Sequence, residues 1–215
     1  MGDDRHGDHE AGARPKRRRK EARPEEILRA AFEEFMLHGF AATRLEDIAR
    51  RAQASKGTIY LYFPSKQALF TVLVRQAVTP HLEQIVAVAD TFPGSMEAFL
   101  RGPFKTLQQA VLESDAGQLL RLLMAEAHAF PELTEFYYTQ VVAPVLGVLR
   151  RIVARGVASG EFRPTGLDTF PQVLAGPLTV GLVWKGLFDA YQVLDVDGLL
   201  NTHLDVVLHG LKRLE

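Results

Sequence analysis

Three helix-starting residues, Thr43, Ser55 and Ser65, crowd into one short segment, with Gly57 and Pro64 set between them. Elements this short cannot make a sheet on their own, and the spacing predicts small helices meeting at angles. Thr43 with Glu46 three positions on has the form of a capping box, in which hydroxyl and carboxylate satisfy each other's orphan N–H groups. Leu45, Ile48, Ala49 and Ala52 would then form the inward stripe. The stretch Lys56 to Phe63 is rich in β-branched and aromatic residues and taken alone favours a strand. It is predicted to be a helix because Ser55 caps it, Pro64 stops it and no partner strand lies near. Ile59 and Phe63, four apart, should be buried, leaving Lys56, Thr58, Tyr60 and Tyr62 available.

Upstream, Ile27, Leu28, Ala31 and Phe35 share one helical face, with Glu25, Glu26, Arg29, Glu33 and Glu34 opposite. Pro24 suits the first turn and Gly39 the left-handed stop. Residues 1–22 hold scarcely an apolar side chain larger than alanine and are expected to be a disordered basic arm ending in Lys16-Arg17-Arg18-Arg19-Lys20. Beyond Phe70, amphipathic helices are predicted over residues 69–89, 95–113, 116–127, 132–158, 168–193 and 197–211, punctuated by proline and glycine. The expectation is an all-α chain, with a head at 23–70 and a larger helical domain at 71–215.

Charge separates the two parts. Residues 11–70 carry thirteen Lys and Arg against seven Asp and Glu, whereas residues 71–215 carry eleven against fifteen. A basic module on an acidic, apolar one predicts a polyanion for the first and a different partner for the second. With no cysteine there is no disulfide framework and no thiolate zinc site. No charge-free apolar run reaches the roughly 18 residues of a spanning helix, and the charged N-terminus has no signal-peptide core. The expectation is a cytoplasmic protein with no membrane partner. His203 and His209 are six apart and fall on different faces, so no metal is expected. No nucleophile elbow, phosphate loop or paired carboxylates appear, so neither a cofactor nor a catalytic residue is expected.

Two short helices joined by a tight turn, the second offering Lys, Thr and Tyr, describe a helix-turn-helix for a DNA major groove. Gly57 would let the backbone approach, Thr58 can meet a thymine methyl or a base edge, and Lys56 can donate to guanine or phosphate. Tyr60, Tyr62, Thr43 and Lys66 carry donors for the flanking phosphates. Residues 24–70, above all Thr43 to Ala49, Ser55-Lys56-Gly57-Thr58-Ile59-Tyr60 and Tyr62-Phe63-Pro64-Ser65-Lys66-Gln67-Ala68-Leu69, closely resemble the DNA-binding domain of the TetR family of transcriptional regulators. The resemblance implies an all-helical homodimer with a three-helix DNA-binding head and a C-terminal domain for ligand binding and dimerisation. Its DNA contacts fall on Thr43, Ser55, Lys56, Gly57, Thr58, Tyr60, Tyr62 and Lys66. Glu46 stands where the type member has a basic reading residue, so the operator cannot be borrowed.

The segment Arg121 to Leu133 resembles ligand domains of the efflux-pump and stress-response branch of that family. Arg121, Glu126, His128, Phe130, Tyr138 and Trp184 are the candidate effector-binding residues, with Tyr137 beside them. The last two helices carry the least charge, and Gly176, Gly181 and Gly186 recur beside Trp184 and Phe188, which predicts a four-helix dimer interface. The function expected is a repressor released from a pseudo-palindromic DNA operator by a small-molecule effector. The competing readings are an activator of the same fold, a helical carrier or enzyme with a vestigial helix-turn-helix, and an RNA or membrane-surface binder using the arginine arm.

Overall fold

The computed structural model describes residues 14–126 and 128–212, with side chains described from Pro24 onward. Among them every regular element is helical. The head comprises α1 (Arg14–Ala42), α2 (Leu45–Arg51) and α3 (Lys56–Tyr62). The connecting helix α4 (Lys66–Thr91) leads to α5 (Met96–Phe99), α6 (Lys105–Glu113), α7 (Asp115–Glu126), α8 (Pro131–Tyr137), α9 (Ala143–Ala158), α10 (Gln172–Leu187) and α11 (Val196–Leu211). The expected arm lies outside the described residues as far as position 13. From Arg14 the backbone is helical, where composition predicts disorder to position 22. Arg and Lys are good helix formers, and adding turns to an existing helix costs little.

Gly39 ends the regular part of α1 as predicted, at φ 77° and ψ 166°, a region that side chains with a Cβ rarely enter. Glu34, expected on the outer face, is instead buried and accepts from the Arg51 guanidinium at 2.6 Å. Arg51 also donates to Glu33, so one fork clamps α1 to α2, and these two carboxylates hold its pKa above the ordinary arginine value. The predicted capping box does not form. Arg44 is the residue before α2 and offers no side-chain cap, while the Thr43 hydroxyl donates back to the carbonyls of Gly39 and Glu34. A helix that breaks at glycine leaves carbonyls open in its last turn, and the Thr43 hydroxyl bonds back there, most closely to Gly39 at 2.7 Å, in place of the α2 amides.

Two π-helical stretches were not legible in the helix pattern. Leu100–Phe104 lies between α5 and α6, and Tyr138–Val142 between α8 and α9. The first contains Pro103 and the second is followed two residues on by Pro144; a proline removes an amide donor and crowds the carbonyl four residues back, so the turn widens. α10 is shorter than its expected span of 168–193. Pro171 begins it, and beyond Phe188 the backbone turns, with Asp189 accepting from the Leu194 amide and the Trp184 indole donating to the Gln192 carbonyl.

One core runs from Ile27, Phe35 and Phe40 in the head through Leu69 and Phe70 to Leu120, Leu123, Leu182 and Leu200. A second fills the far end around Phe99, Phe104, Leu149, Ile152 and Phe162. Val173, Val180, Val183 and Leu187 stay exposed on α10, as do Val206 on α11 and Tyr191 and Val193 between the two helices. Not all the glycines expected to admit a second helix face that way. A Cβ on Gly181 would meet Leu112 of the same chain, and one on Gly186 would meet Arg121. Gly176 alone of the three faces open space. No described helix is long and apolar enough to cross a membrane.

Candidate nucleic-acid interface and effector cavity

The strand-like stretch folds as α3 because its first turn is capped. Ser55 Oγ accepts from the Thr58 amide at 3.0 Å, and Ile59, fully buried, anchors the helix to the head. Phe63 is buried too, as the four-residue spacing requires. The opposite face shows Lys56, Gly57 and Tyr60 to solvent. Thr58 is half-buried, and its hydroxyl lies 2.8 Å from Ser55 Oγ. A local bond at that hydroxyl leaves the methyl as the group Thr58 has to offer a base. A Cβ on Gly57 would touch nothing closer than Ser55 Oγ at 3.7 Å, so the chain's own packing does not require glycine there. Tyr62 is half-buried against the core, its ring 6.5 Å from that of Phe63.

Glu46 on α2 reaches the same face. Its carboxylate accepts from Lys56 Nζ, and both side chains are about half exposed. The Lys56 ammonium holds the Glu46 carboxyl below the usual carboxylate range, and Glu46 in turn raises the lysine. The pair sets a donor beside an acceptor where α3 would meet a groove.

Two residues expected at phosphates point elsewhere. Thr43 is buried, its hydroxyl spent on α1. Lys66 donates to the carbonyls of Phe40, Ala41 and Thr43 at 2.6, 3.0 and 2.9 Å, and its ammonium sits 4.6 Å from the Phe40 ring centroid. Burial holds its pKa below the ordinary lysine value. Lys66 therefore closes the C-terminal end of α1 and fixes the start of α4 against it. The cause is the residue spacing: Ser65 caps α4 through the Ala68 amide, which aims the next side chain at α1's open carbonyls.

The segment after α7 grips this junction. Glu126 Oε1 accepts from the Ala41 amide at 3.2 Å, and the Phe130 ring packs edge-on against Phe40 at 4.7 Å. Gln67 of α4 donates to Glu132 at 3.4 Å. Glu126 and Phe130, expected in an effector pocket, are the latch between body and head.

Among the described residues a cavity of ≈ 170 Å³ lies in the body between α4, α6, α7, α8, α9 and α10. Its lining is largely apolar, including Val78, Leu82, Leu120, Val145 and Leu178, with Gln108, His81 and Tyr137 among its polar members. Both π-helical stretches feed it, through Phe104 and through Val141 and Val142. Of the residues expected there, Tyr137 lines it, while Arg121, Glu126, His128, Phe130, Tyr138 and Trp184 do not. Arg121 packs beneath α10 with Nη1 buried and unpartnered, and His128 and Tyr138 are exposed. Trp184 packs on Phe188 beside its own indole bond. Aromatic and charged types do not mark this wall, because aliphatic side chains build most of it. The usable signal is Gln108, an amide on a stripe with Phe104, Val111 and Leu112.

Residues 27–73 match the family model described as bacterial regulatory proteins, tetR family, and residues 88–192 match the tetracyclin repressor-like C-terminal domain. Together these cover more than half of the chain. The chain is 30% identical over 145 residues to the HTH-type transcriptional regulator RutR of Escherichia coli, spanning 66% of this chain and 66% of that protein's length. A tetR-family regulator from Mesorhizobium loti superimposes with a TM-score of 0.71 at 21% identity, covering 91% of this chain and 99% of that one. The regulator FadR from Bacillus subtilis, solved in complex with stearoyl-CoA, gives 0.69 at 20% identity over 87% of this chain and 98% of its own. Likeness at this identity shows the fold.

Proposed function

The chain belongs to the TetR family of bacterial regulatory proteins, and we propose that it is a cytoplasmic, homodimeric repressor released from a pseudo-palindromic operator by a small molecule. The observation that carries the DNA-reading part is the exposed face of α3, where Lys56, Gly57 and Tyr60 meet solvent on a helix whose other face is locked by Ile59 and whose start is capped by Ser55. Lys56, Gly57 and the Thr58 methyl approach base edges. Tyr60, Ser55 and Tyr62 take the backbone beside them. Thr43 and Lys66 act as positioning residues that hold α1, α2 and α4 in register.

Two copies joined through the exposed apolar face of α10 and α11 would set their recognition helices about 34–36 Å apart, or a multiple of that, to match successive major grooves. The effector enters the cavity, whose walls include α7 and α8. Those helices flank the latch at Glu126 and Phe130, so a change in their spacing bears on Phe40 and Ala41 and hence on head orientation. An effector does this only if it binds one head spacing better than the other, a coupling of about 1–3 kcal/mol in typical systems. That FadR, a regulator of the same fold, was solved in complex with stearoyl-CoA supports a small-molecule effector.

The test is selection of bound sequences from a random duplex pool at near-physiological salt, since low-salt binding reports mainly phosphate attraction. A recovered pseudo-palindrome is the expected result. Recovery of nothing above background would remove the regulator reading and favour a carrier or enzyme. A promoter reporter with and without the gene separates repression from activation.

A further inference from the structure

Within that effector reading, we infer that the cavity is built for a neutral, ring-sized apolar molecule bearing one hydrogen-bonding group, which the Gln108 amide receives. Three observations converge. First, no Lys, Arg, Asp or Glu lines the cavity, among the described residues. An ionised ligand placed there would lose its water shell without gaining a counter-charge, and burying an unpaired charge is strongly unfavourable.

Second, Gln108 is only 2% exposed, yet it sits on the cavity wall. Its Nε2 reaches the Leu174 carbonyl at 3.5 Å, the outer edge of hydrogen-bond range. A buried amide has two N–H donors and an acceptor to satisfy. One long bond leaves hydrogen-bonding capacity on this amide that a ligand group in the cavity can take up in place of water. Gln172 and Thr179 are exposed and stand toward the rim, and His81 and Tyr137 are half-buried, so Gln108 is the most buried polar side chain of the lining. Tyr137 adds to this, since burial pushes its phenol above the ordinary tyrosine value, as expected of a dry wall.

Third, size sets a bound. At ≈ 170 Å³ the cavity is close to the engineered apolar cavities of about 150 Å³ that take up benzene. A ring with one small substituent fits that space whole, and a long acyl chain is too large to be enclosed in it.

The experiment titrates benzamide, toluene, benzoate, benzylamine and stearate into the full-length protein by calorimetry at pH 8. The operator recovered by selection is kept in a separate assay. Benzamide should bind, with benzoate and benzylamine weaker by about tenfold or more. Stearate should give no saturable isotherm. Gln108→Leu should erase the advantage of benzamide over toluene. Val145→Phe, which narrows the cavity without touching Gln108, should weaken benzamide and toluene alike and guards against a Gln108 variant that fails to fold. Equal or tighter binding of benzoate, benzylamine or stearate would overturn the assignment, as would benzamide binding that both variants leave unchanged or the absence of any benzamide isotherm. Because these titrations contain no DNA, their failure leaves the operator result standing, and loss of operator binding leaves the cavity result standing.

Discussion

Glu46 shows how a local motif can be right in form and wrong in partner. Its three-residue spacing from Thr43 suggests a cap, but the Thr43 hydroxyl goes to α1 and the carboxylate goes to Lys56 on the reading face. A carboxylate there can accept from a cytosine amino group while Lys56 donates to the guanine paired with it. Glu46→Gln should therefore relax preference at one symmetric pair of positions in the selected operator, by about 1–3 kcal/mol per site in competition binding. An unchanged sequence logo would take Glu46 out of base reading. Lys66 makes the opposite case: its motif is plain in the sequence, but its three carbonyl partners depend on how α1 ends at Gly39, which the local pattern around position 66 does not contain. Lys66→Met should lower the denaturant midpoint, with about 1–3 kcal/mol lost to unpaired carbonyls. The salt slope of DNA binding should stay unchanged, where a phosphate contact would lower it by about one.

At the scale of elements, every predicted helix has its counterpart, because caps and 3.6-residue periodicity are local properties. What the periodicity could not carry is how helices are interrupted. The expected helices over 95–113 and 132–158 run unbroken through Pro103 and Pro144, yet each contains a widened turn that brings side chains to the cavity. The latch was hidden for a related reason. Phe130 and Glu126 look like pocket residues by type, and only the approach of the α7 end to Phe40 and Ala41 assigns them to the joint. Phe130→Ala should leave cavity binding intact and leave the bare protein bound to its operator. It should cut the effector's leverage on operator affinity by about five-fold or more, a loss of at least the low end of ordinary coupling energies. Gel-shift titrations with and without a bound cavity probe read this directly, and full retention of leverage would exclude the latch as the route.

For the whole molecule, the apolar face of α10 and α11 predicts a dimer that a single charge should split. Leu187, 64% exposed in the single chain, is the natural site. Leu187→Glu should give a monomer by light scattering, with helix content unchanged and operator affinity lost; a stable dimer would move the interface elsewhere. His203 on α11 sets a pH dependence. Burial lowers its pKa, while a hydrogen bond involving the Val173 backbone works the other way. The folded state thus binds fewer protons than the unfolded chain as pH falls below about 6.5, and stability is lost there while being fully present above it. Tm should drop between pH 7.5 and 5.5, and His203→Asn should flatten that drop; an equal drop in the variant would place the acid sensitivity elsewhere.

The first core passes without a break from Ile27 and Phe40 in the head to Leu182 on α10 and Leu200 on α11. The head is therefore not a cassette. A chimaera that grafts residues 24–70 onto a foreign body would cut across Phe40 and Phe130 and strand apolar surface on both sides of the cut. Which sequence the protein recognises and which chemical it senses are, in this architecture, exchanged together or not at all.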